Sequence, residues 1–420
     1  MKGNLLIISN AAVCQSDSNG RTISRLLDTL SVEQKHQFYV YGYPDFSEGR
    51  SFYNVTDKDA LYSFIKRTKK NAVVQSTETT ASINKTNQKK TRKTPLTMLL
   101  REFVWKHGCW NNKYLSKWLN EVNPVAILVV AGDNAFTLDL ARKIAKERNI
   151  PIVLYSTEEY PFKNYNYVTR KKSLLYTLWR LKLKRVYKSI ERYTKAGVFN
   201  TEALAELYRS EYCYPCYAVY QSSDIDVIEN YKVQQPIRVS YLGNLGLNRY
   251  KALIQIAEKL GEVDSKIKLD IYGRAEEFII NELKKCPNIR VKGFVGYEEV
   301  VDIIHKSTLL IHAEYSDSFY MRDLKYAFST KITDSVCSGT PFFIYAPEEL
   351  AETQFLREND CAFVASEKKA LKDNLRIAIF DESERKRKIA NAKIIKEKFF
   401  TNNGQFMTIL DGVLNENSPS

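Results

Sequence analysis

The sequence lacks any apolar run close to the ~20 residues that a membrane-spanning helix requires. Its first apolar run, LLII at residues 5–8, is shorter than that of a secretory signal peptide and is followed by polar Ser9 and Asn10. These absences predict a cytoplasmic protein without a spanning helix. A peripheral position on the inner face of the cell membrane stays open.

Cysteine and histidine are scarce, with 7 and 4 residues among 420. An odd and scattered set of cysteines does not form the dense disulfide framework of a small secreted domain. Cys213 and Cys216 form a C-x-x-C motif, but no second pair follows at the spacing of a zinc site. Asp224 and Asp226 also invite a metal interpretation, which their place between the two predicted domains disfavours. No metal and no cofactor are therefore predicted.

Acidic residues are too few to balance the basic ones, since 49 Asp and Glu face 63 Lys and Arg and leave a formal charge of +14. This surplus predicts an anionic partner, which is nucleic acid, an acidic lipid surface or a phosphorylated small molecule. No zinc finger, RNA-binding motif or recognition-helix pattern accompanies the charge, so no nucleic-acid partner is predicted. The length of 420 residues suits two globular domains of about 200 residues each.

What the sequence does contain is a repeated alternation of short β-rich apolar runs and amphipathic helical stretches. In the first half, strands are predicted at 4–9, 38–43, 126–131, 151–155 and 197–200, with helices near 21–30, 138–145 and after 201. In the second half, strands are predicted at 238–242, 268–272, 289–292, 309–312 and 342–345, with helices at 251–260, 276–285, 297–305 and 330–338. This alternation is typical of parallel sheets with helices on both faces.

The predicted fold class is therefore α/β, with two doubly wound Rossmann-like domains facing a cleft. The predicted domains are 1–220 and 237–395, joined by a linker at 221–236 and followed by 396–420. Residues 69–95 are polar, rich in threonine and lysine and without periodicity, which predicts a flexible surface loop inserted in the first domain.

The loops that follow the strands of the second domain are the candidate site, because ligands of open parallel sheets bind at the carboxyl ends of the strands. The first loop contains Gly243, Asn244 and Leu245, with Arg249 close behind. Glycine there lets backbone N–H groups approach an anion, and the arginine would neutralise phosphate. The second loop places Arg274 within reach of a diphosphate. Both patterns also suit a plain strand–helix turn.

The third loop, STKITDSVCSGTP at residues 329–341, is the most specific. Ser329 and Thr330 suit a helix N-cap, whose hydroxyls and free N–H groups form an anion site beside the charge of Lys331. Asp334, one turn further on, suits a carboxylate that accepts both ribose hydroxyls of a nucleotide. The alternative is a capped helix packed against the sheet, in which the acid only serves the helix dipole.

The stretch 329–343 resembles the nucleotide-binding helix of GT-B glycosyltransferases of the family 4, or group 1, type. That helix commonly reads S-K-x-x-E-x-x-x-x-G-x-P before a hydrophobic strand. The loop after Leu242 resembles the G-x-L segment of the family, and 394–414 resembles its C-terminal helix, which packs back toward the N-terminal domain. The resemblance implies an acceptor domain at 1–220 and a nucleotide-sugar domain at 237–395. The implied donor-binding residues are Gly243, Asn244, Leu245, Arg274, Ser329, Thr330, Lys331, Ile332 and Asp334.

The resemblance implies a hexosyltransferase (EC 2.4) that uses a nucleoside-diphosphate sugar, linked to UDP or GDP, as its donor. The implied acceptor is lipid-linked, a polysaccharide or a glycoconjugate. Transfer would retain the anomeric configuration and need no metal, because lysine and arginine neutralise the departing diphosphate. The implied catalytic residues are Glu314, Asp133, Arg249 and Lys331, and the implied acceptor side contains Gly20, Arg21 and Glu158.

The sequence departs from the family in its acidic residues. The helix acid is Asp334 instead of glutamate, and the position eight residues earlier, the partner in the family's paired-glutamate motif, is Tyr326. Glu314 is therefore predicted to take the role of the first acid. Many members also place a histidine against the donor sugar, but none follows Val130, and Asp133 stands in that loop.

Residues 170–195 are strongly basic, with leucines among lysines and arginines and no acid before Glu191. This pattern predicts a helix that lies on an anionic membrane surface, and a similar basic and aromatic region covers 89–118. A surface helix with its leucines in the core explains the same pattern.

Three further alternatives stay open at this point. A non-hydrolysing sugar-nucleotide epimerase shares the fold and needs no acceptor. A non-catalytic GT-B partner subunit and a basic surface-binding protein also fit. A nicotinamide-dependent oxidoreductase is disfavoured, because Asn10, Ala11 and Ala12 follow the first strand where G-x-G-x-x-G would stand.

Overall fold

The structure, a computed structural model, describes residues 3–14, 18–67, 74–76, 93–166, 173–401 and 404–416. The chain divides into two compact units, of which the first comprises 1–219 with 402–420 and the second comprises 220–401. Residues 221–236, predicted as a linker, group with the second unit, and the predicted segment 396–420 is divided between the two. No described helix combines the length and the apolar character needed to span a membrane.

The first unit contains an eight-stranded sheet in the order β4-β3-β2-β1-β5-β6-β7-β8. Neighbouring strands are parallel, except that β4 runs antiparallel to β3. Buried apolar runs form the central strands, as expected for a parallel sheet covered on both faces. The strands are β1 (Asn4–Ile8), β2 (Lys35–Tyr39), β3 (Ser51–Asn54), β4 (Val74–Ser76), β5 (Pro124–Val130), β6 (Ile152–Ser156), β7 (Thr194–Phe199) and β8 (Cys216–Ala218).

Helices cover the sheet of the first unit, and several begin at a side chain that accepts a backbone N–H bond, as Thr94, Ser173 and Thr201 do. The last of these helices places Phe406 and Leu410 in the same core as β1. The helices are α1 (Ser18–Leu26), α2 (Asp57–Lys66), α3 (Pro95–His107), α4 (Lys113–Val122), α5 (Phe136–Arg148), α6 (Leu174–Ile190), α7 (Glu202–Arg209) and α16 (Gln405–Glu416).

The predicted strand 38–43 is wrong in position, because β2 begins three residues earlier at Lys35. The first residues of β2 are polar yet buried, which hides the strand from a hydrophobic pattern. The Nε2 of Gln37 donates to the Oγ of Ser9 at 2.7 Å, and a hydrogen bond of 2.7 Å joins His36 and Ser51. These bonds give partners to the amide of Gln37 and to Nδ1 of His36 inside the sheet.

The segment 69–95, predicted as a loop throughout, contains β4 and the start of α3, so the prediction is wrong at these places. β4 begins at the β-branched residue Val74, and the edge of β3 supplies its antiparallel partners. The remainder of the predicted insert, 69–73 and 77–92, lies outside the described residues.

The second unit contains a six-stranded parallel sheet in the order β11-β10-β9-β12-β13-β14. The chain direction across the sheet reverses between β9 and β12, and ligands of doubly wound sheets bind at such a reversal. Its strands are β9 (Val239–Leu242), β10 (Leu269–Tyr272), β11 (Ile289–Gly293), β12 (Leu309–Ala313), β13 (Phe342–Tyr345) and β14 (Phe363–Ala365). Its helices are α8 (Arg249–Val263), α9 (Glu277–Lys284), α10 (Tyr297–Lys306), α11 (Ser318–Leu324), α12 (Thr330–Cys337), α13 (Ala351–Glu358), α14 (Leu371–Phe380) and α15 (Glu382–Ile395). The two units confirm the predicted doubly wound α/β fold.

The first residues of the second unit run against α12. The backbone N–H of Ile228 donates to the carbonyl of Ser338 at 2.8 Å. Gly339 follows with a φ of +78°, and a Cβ there would lie 2.7 Å from the carbonyl oxygen of Ile228. The glycine at the end of α12 is therefore required by this close approach as well as by its left-handed backbone.

Candidate functional site

The loops after β9 and β10 touch each other through their glycines. The N–H of Gly243 donates to the carbonyl of Tyr272 at 2.9 Å, and the N–H of Gly273 donates to the carbonyl of Gly293 at 2.8 Å. A Cβ placed on Gly273 would lie 1.9 Å from the carbonyl oxygen of Gly243, far inside van der Waals contact. The first loop therefore keeps its shape only while residue 273 has no side chain.

We expect Gly273→Ala to displace the first loop and to lower the free energy of unfolding by ~1–3 kcal/mol, as overpacking usually does. Chemical denaturation of the purified variant measures this loss. Gly296→Ala is the matched control, because no atom lies within 4 Å of a Cβ at that position. Equal stability of the two variants would contradict the tight contact between the loops.

The first loop turns sharply into α8 and so makes Arg249 the first residue of that helix. Leu247 and Asn248 both adopt left-handed backbone conformations, with φ of 58° and 61°. Such strain in residues other than glycine is typical of functional loops. The Nδ2 of Asn248 also donates to the Oδ2 of Asp317 at 2.8 Å, which ties this loop to the one after β12.

Arg249 forms an ion pair with Glu314, the residue that follows β12. Its Nε and one terminal nitrogen both donate to Oε1 of Glu314, at 2.8 Å and 2.5 Å. Only 2% of Glu314 is exposed, so its buried carboxylate fixes the position of the guanidinium. Glu314 thus positions Arg249, a role that the sequence does not indicate.

Two more buried ionisable side chains complete this group. The Nε2 of His312 lies 3.4 Å from an oxygen of Glu314 and 3.3 Å from an oxygen of Glu352, in the first turn of α13. Burial alone would lower the pKa of His312, but the carboxylates of Glu352 and Glu314 outweigh burial and raise this pKa. Burial would raise the pKa of Glu314, whereas His312 and Arg249 outweigh that effect and lower it.

The buried group of Arg249, His312, Glu314 and Glu352 is therefore balanced in charge when the imidazole is protonated. Among the described residues, His312, Glu314 and Glu352 also bring ligand atoms within 4.8 Å of one another, a spacing that a metal ion could use. A metal ion would compete with Arg249 for the same carboxylate and add charge to a balanced set. We therefore describe these side chains as a charge network.

Lys331, in the first turn of α12, brings a second cation to the loop after β9. Its methylene groups lie over Gly243, where a Cβ would be 3.1 Å from Cε of the lysine. Although the residue as a whole is exposed, burial around the ammonium group lowers the pKa of Lys331, and the charge of Arg249 lowers it further. The first and third predicted loops thus bring Lys331 over Gly243, in the loop that leads to Arg249.

The start of α12 differs from the prediction in its capping. Ser329 occupies the N-cap position, but its side chain makes no capping hydrogen bond, and Thr330 is the first helical residue. Ile332 is fully buried and packs in the core. Asp334 accepts a hydrogen bond of 2.7 Å from the Oγ of Ser223. Ser223 therefore joins the predicted nucleotide-binding residues, although it lies 111 positions away in sequence.

The remaining donor-side residues have defined positions in the second unit. Asn244 accepts a hydrogen bond of 2.7 Å from the N–H of Gly246 through its side chain, and Leu245 is buried. The guanidinium of Arg274 lies 3.9 Å from the ring centre of Phe294, a cation–π contact. Arg274 thus has an aromatic partner, and its contact with a diphosphate stays a prediction.

The residues predicted for the first unit lie at loops and helix starts. Asp133 forms an ion pair with Lys93 at 2.6 Å, and Glu158 forms one with Lys163 at 2.6 Å. Gly20 lies in α1, where a Cβ would be 2.6 Å from the carbonyl oxygen of Cys14, and Arg21 follows it. Their catalytic and acceptor roles stay predictions.

The second unit is similar in sequence to a known protein family. Residues 226–394 match the sequence model of the family described as glycosyl transferases group 1. This match covers the loops after β9, β10 and β12 together with α12, so it includes the site described in this unit except for Ser223. No curated protein matches the sequence.

Solved structures of glycosyltransferases are similar to the whole chain. HepE from Anabaena, crystallised with UDP, is 10% identical with a TM-score of 0.63, over 98% of this chain and 99% of its own. A glycosyltransferase from Rickettsia africae is 13% identical with a TM-score of 0.63 over 100% of both chains. The lipopolysaccharide outer core galactosyltransferase WaaB is 12% identical with a TM-score of 0.57, over 99% and 100%. At these identities the similarity establishes the fold, which is GT-B.

Proposed function

Because residues 226–394 match the family model of the group 1 glycosyl transferases, we propose that the chain transfers a hexose from a nucleoside-diphosphate sugar to an acceptor. The acceptor class is a lipid-linked, polysaccharide or glycoconjugate molecule. The observation that carries the proposal is the position of two cations at the loop after β9, where Lys331 lies over Gly243 and Arg249 begins α8 in an ion pair with Glu314. Two cations at the reversal point of a doubly wound sheet suit a diphosphate.

The proposed chemistry is electrostatic stabilisation of the departing nucleoside diphosphate. When the sugar–phosphate bond breaks, negative charge develops on the leaving diphosphate, and fixed cations lower the energy of that state. Arg249 suits this task because Glu314 holds its guanidinium in place before the donor arrives. Lys331 adds a longer, more mobile charge from the start of α12. Transfer on this pattern uses no metal, and we propose retention of configuration.

We propose a UDP-sugar as the donor, with a GDP-sugar as the alternative. HepE, which shares the fold, was crystallised with UDP and with UDP-glucose. The pair of Asp334 and Ser223 offers a carboxylate and a hydroxyl for the ribose hydroxyls. Asp133, Gly20, Arg21 and Glu158 are proposed for the first unit's part in acceptor binding and transfer. The proposed location is cytoplasmic, peripheral on the inner face of the membrane through 170–195.

The donor site can be tested by thermal unfolding in the presence of UDP, GDP, ADP, CMP and NAD. A nucleotide at a hundredfold excess over its Kd is expected to stabilise the wild type by ~2.7 kcal/mol. Asp334→Ala is expected to lose most of this gain. Asp302→Ala removes an exposed carboxylate of α10 and is expected to keep it.

The outcomes of this test separate the candidate functions. If no nucleotide stabilises the wild type, a donor site is absent and the non-catalytic subunit becomes the better description. If UDP stabilises it, incubation with UDP-sugars follows, and release of UDP that depends on an acceptor supports transfer. Conversion of the UDP-sugar to its epimer without an acceptor would instead identify an epimerase.

A further inference from the structure

Exposed apolar side chains are concentrated on three helices of the first unit. Of nineteen exposed large hydrophobic residues in the described part of the chain, ten lie on α2, α3 and α6. These ten are Leu61, Tyr62, Ile65, Leu96, Leu100, Phe103, Leu174, Leu175, Leu178 and Leu181. Such a concentration is unusual, because exposed apolar residues of a monomer are normally scattered singly.

The spacing of the exposed residues gives each helix one apolar face. On α6, Leu174, Leu178 and Leu181 follow at intervals of four and three residues, and Arg185 continues the same face. The opposite face of α6, which contains Trp179, is buried against the rest of the unit. Four of the five leucines of α6 are thus not core residues, namely Leu174, Leu175, Leu178 and Leu181, and 77% of Leu174 is exposed.

The three helices lie side by side, so their faces adjoin. Asp57 of α2 accepts hydrogen bonds from Nε of Arg101 and Nε1 of Trp105 on α3, at 2.8 Å and 2.7 Å. The rings of Phe64 and Phe103 meet edge to face at 5.6 Å between their centres. We call the exposed apolar residues of α2, α3 and α6 the three-helix face.

Positive charge is concentrated on the α6 side of the three-helix face. The helix α6 carries five lysines and arginines and no acid between Leu174 and Ile190. In sequence, the stretches 77–92 and 167–172 that flank α3 and α6 add seven more basic residues and one acid. A second copy of the chain would bring like charges against this face, whereas anionic lipid would neutralise them.

We propose that the three-helix face docks on an anionic lipid bilayer, with its leucines in the acyl boundary and its basic residues among the headgroups. Leucine side chains enter the boundary region because burial removes their apolar surface from water. This proposal specifies the residues of the membrane contact that is part of the proposed function. It depends on the proposed function only for the idea that the acceptor lies at the membrane. Its evidence is independent of the donor site.

Flotation of the full chain with vesicles tests the proposal, using phosphatidylcholine alone or mixed with phosphatidylglycerol. The wild type is expected to float with the mixed vesicles and to release at high salt. The triple variant Leu174→Ser, Leu178→Ser and Leu181→Ser is expected to lose more than ~tenfold in vesicle affinity. Its thermal stability should be unchanged, because these leucines are exposed.

Two further variants make the test specific. Arg185→Glu is expected to weaken binding to the mixed vesicles, since it reverses one charge on the same face. The pair Ile377→Ser and Phe380→Ser is the matched control, because these α14 residues of the second unit are 41% and 52% exposed. The control variant is expected to float like the wild type. Asp334→Ala should also float normally, which separates this test from that of the donor site.

Three results would overturn the proposal. The first is equal binding to both kinds of vesicle without an effect of salt, which would remove the requirement for anionic lipid. The second is no binding to either kind, combined with a dimer that the triple leucine variant dissociates, which would assign the face to a second copy. The third is a monomeric wild type that binds no vesicle.

Discussion

Replacing Arg249 by methionine is expected to lower kcat/KM for sugar transfer by a factor of ~10²–10³, as removal of one preorganised charge-stabilising group does. Methionine keeps part of the apolar stem, so the change removes the guanidinium and leaves the start of α8 packed. The charge of Arg249 acts on Lys331, whose methylene groups lie over Gly243, and we expect a departing diphosphate to gain charge at this place. The measurement is the initial rate of UDP release with donor and acceptor present.

This variant also leaves the buried carboxylate of Glu314 with one cation fewer, which destabilises the fold for a reason unrelated to transfer. The double variant Arg249→Met with Glu314→Gln removes both charges of the pair. It is expected to recover thermal stability while its activity stays low. Activity that returns together with stability would contradict a role of Arg249 in transfer.

A control arginine is available in the same unit. Arg290 forms an ion pair with Asp270 at 2.6 Å and is half-exposed on β11. Arg290→Met also leaves a buried carboxylate without its cation, because Asp270 is buried, so it is expected to cost stability but to change kcat/KM by less than ~2-fold. UDP should still stabilise this variant, whereas the stabilisation of Arg249→Met by UDP should be much smaller than that of the wild type.

Replacing Glu352 by glutamine is expected to lower the free energy of unfolding by ~3–5 kcal/mol, the range seen when one partner of a buried ion pair is removed. Glu352 is buried in α13, and its carboxylate lies 3.3 Å from Nε2 of His312. Without it, the charged imidazole shares Glu314 with Arg249 and lacks its second carboxylate. Urea denaturation measures the loss, and Glu349→Gln, an exposed position close by, is the control.

The dependence of stability on pH distinguishes this network from plain packing. The folded pKa of His312 is raised above its ordinary value of 6.5, so the folded protein keeps a proton that the unfolded chain releases. The stabilisation is therefore complete below pH 6.5 and is lost as the pH rises through the folded pKa. Glu352→Gln is expected to weaken this loss. An unchanged pH profile in the variant would mean that His312 is neutral in the folded protein.

The fold could be predicted because its information is local. Apolar runs such as that of β5 and the block 329–343 carry their pattern within a few residues, and the structure confirms the strand β5 and the helix and strand, α12 and β13, of this block. Prediction failed where polar side chains are satisfied by distant partners. Gln37 is a polar residue of β2 that is buried because its Nε2 donates a hydrogen bond to the Oγ of Ser9, next to the end of β1. A hydrophobic pattern does not reveal such a partner.

The site shows the same limit. Arg249 and Glu314 could be named as site residues from the sequence, but their ion pair could not be predicted. They are 65 positions apart and come together because the strands β9 and β12 pair in the sheet. His312 and Glu352 belong to no sequence motif, because what links them is that both side chains are buried next to each other. The position of Arg274 in its loop predicts a contact with a ligand. In the structure its guanidinium lies over the ring of Phe294, which follows another strand.

The membership of α16 in the first unit affects how the protein is made. The sheet of that unit ends at Ala218, but its core also needs Phe406 and Leu410, which the ribosome adds only after the entire second unit. At a synthesis rate of about 5–20 residues per second, the nascent first unit waits ~10–40 s with part of its apolar core uncovered. During each round of translation, the newly made sheet thus exposes to water the apolar surface that α16 later covers.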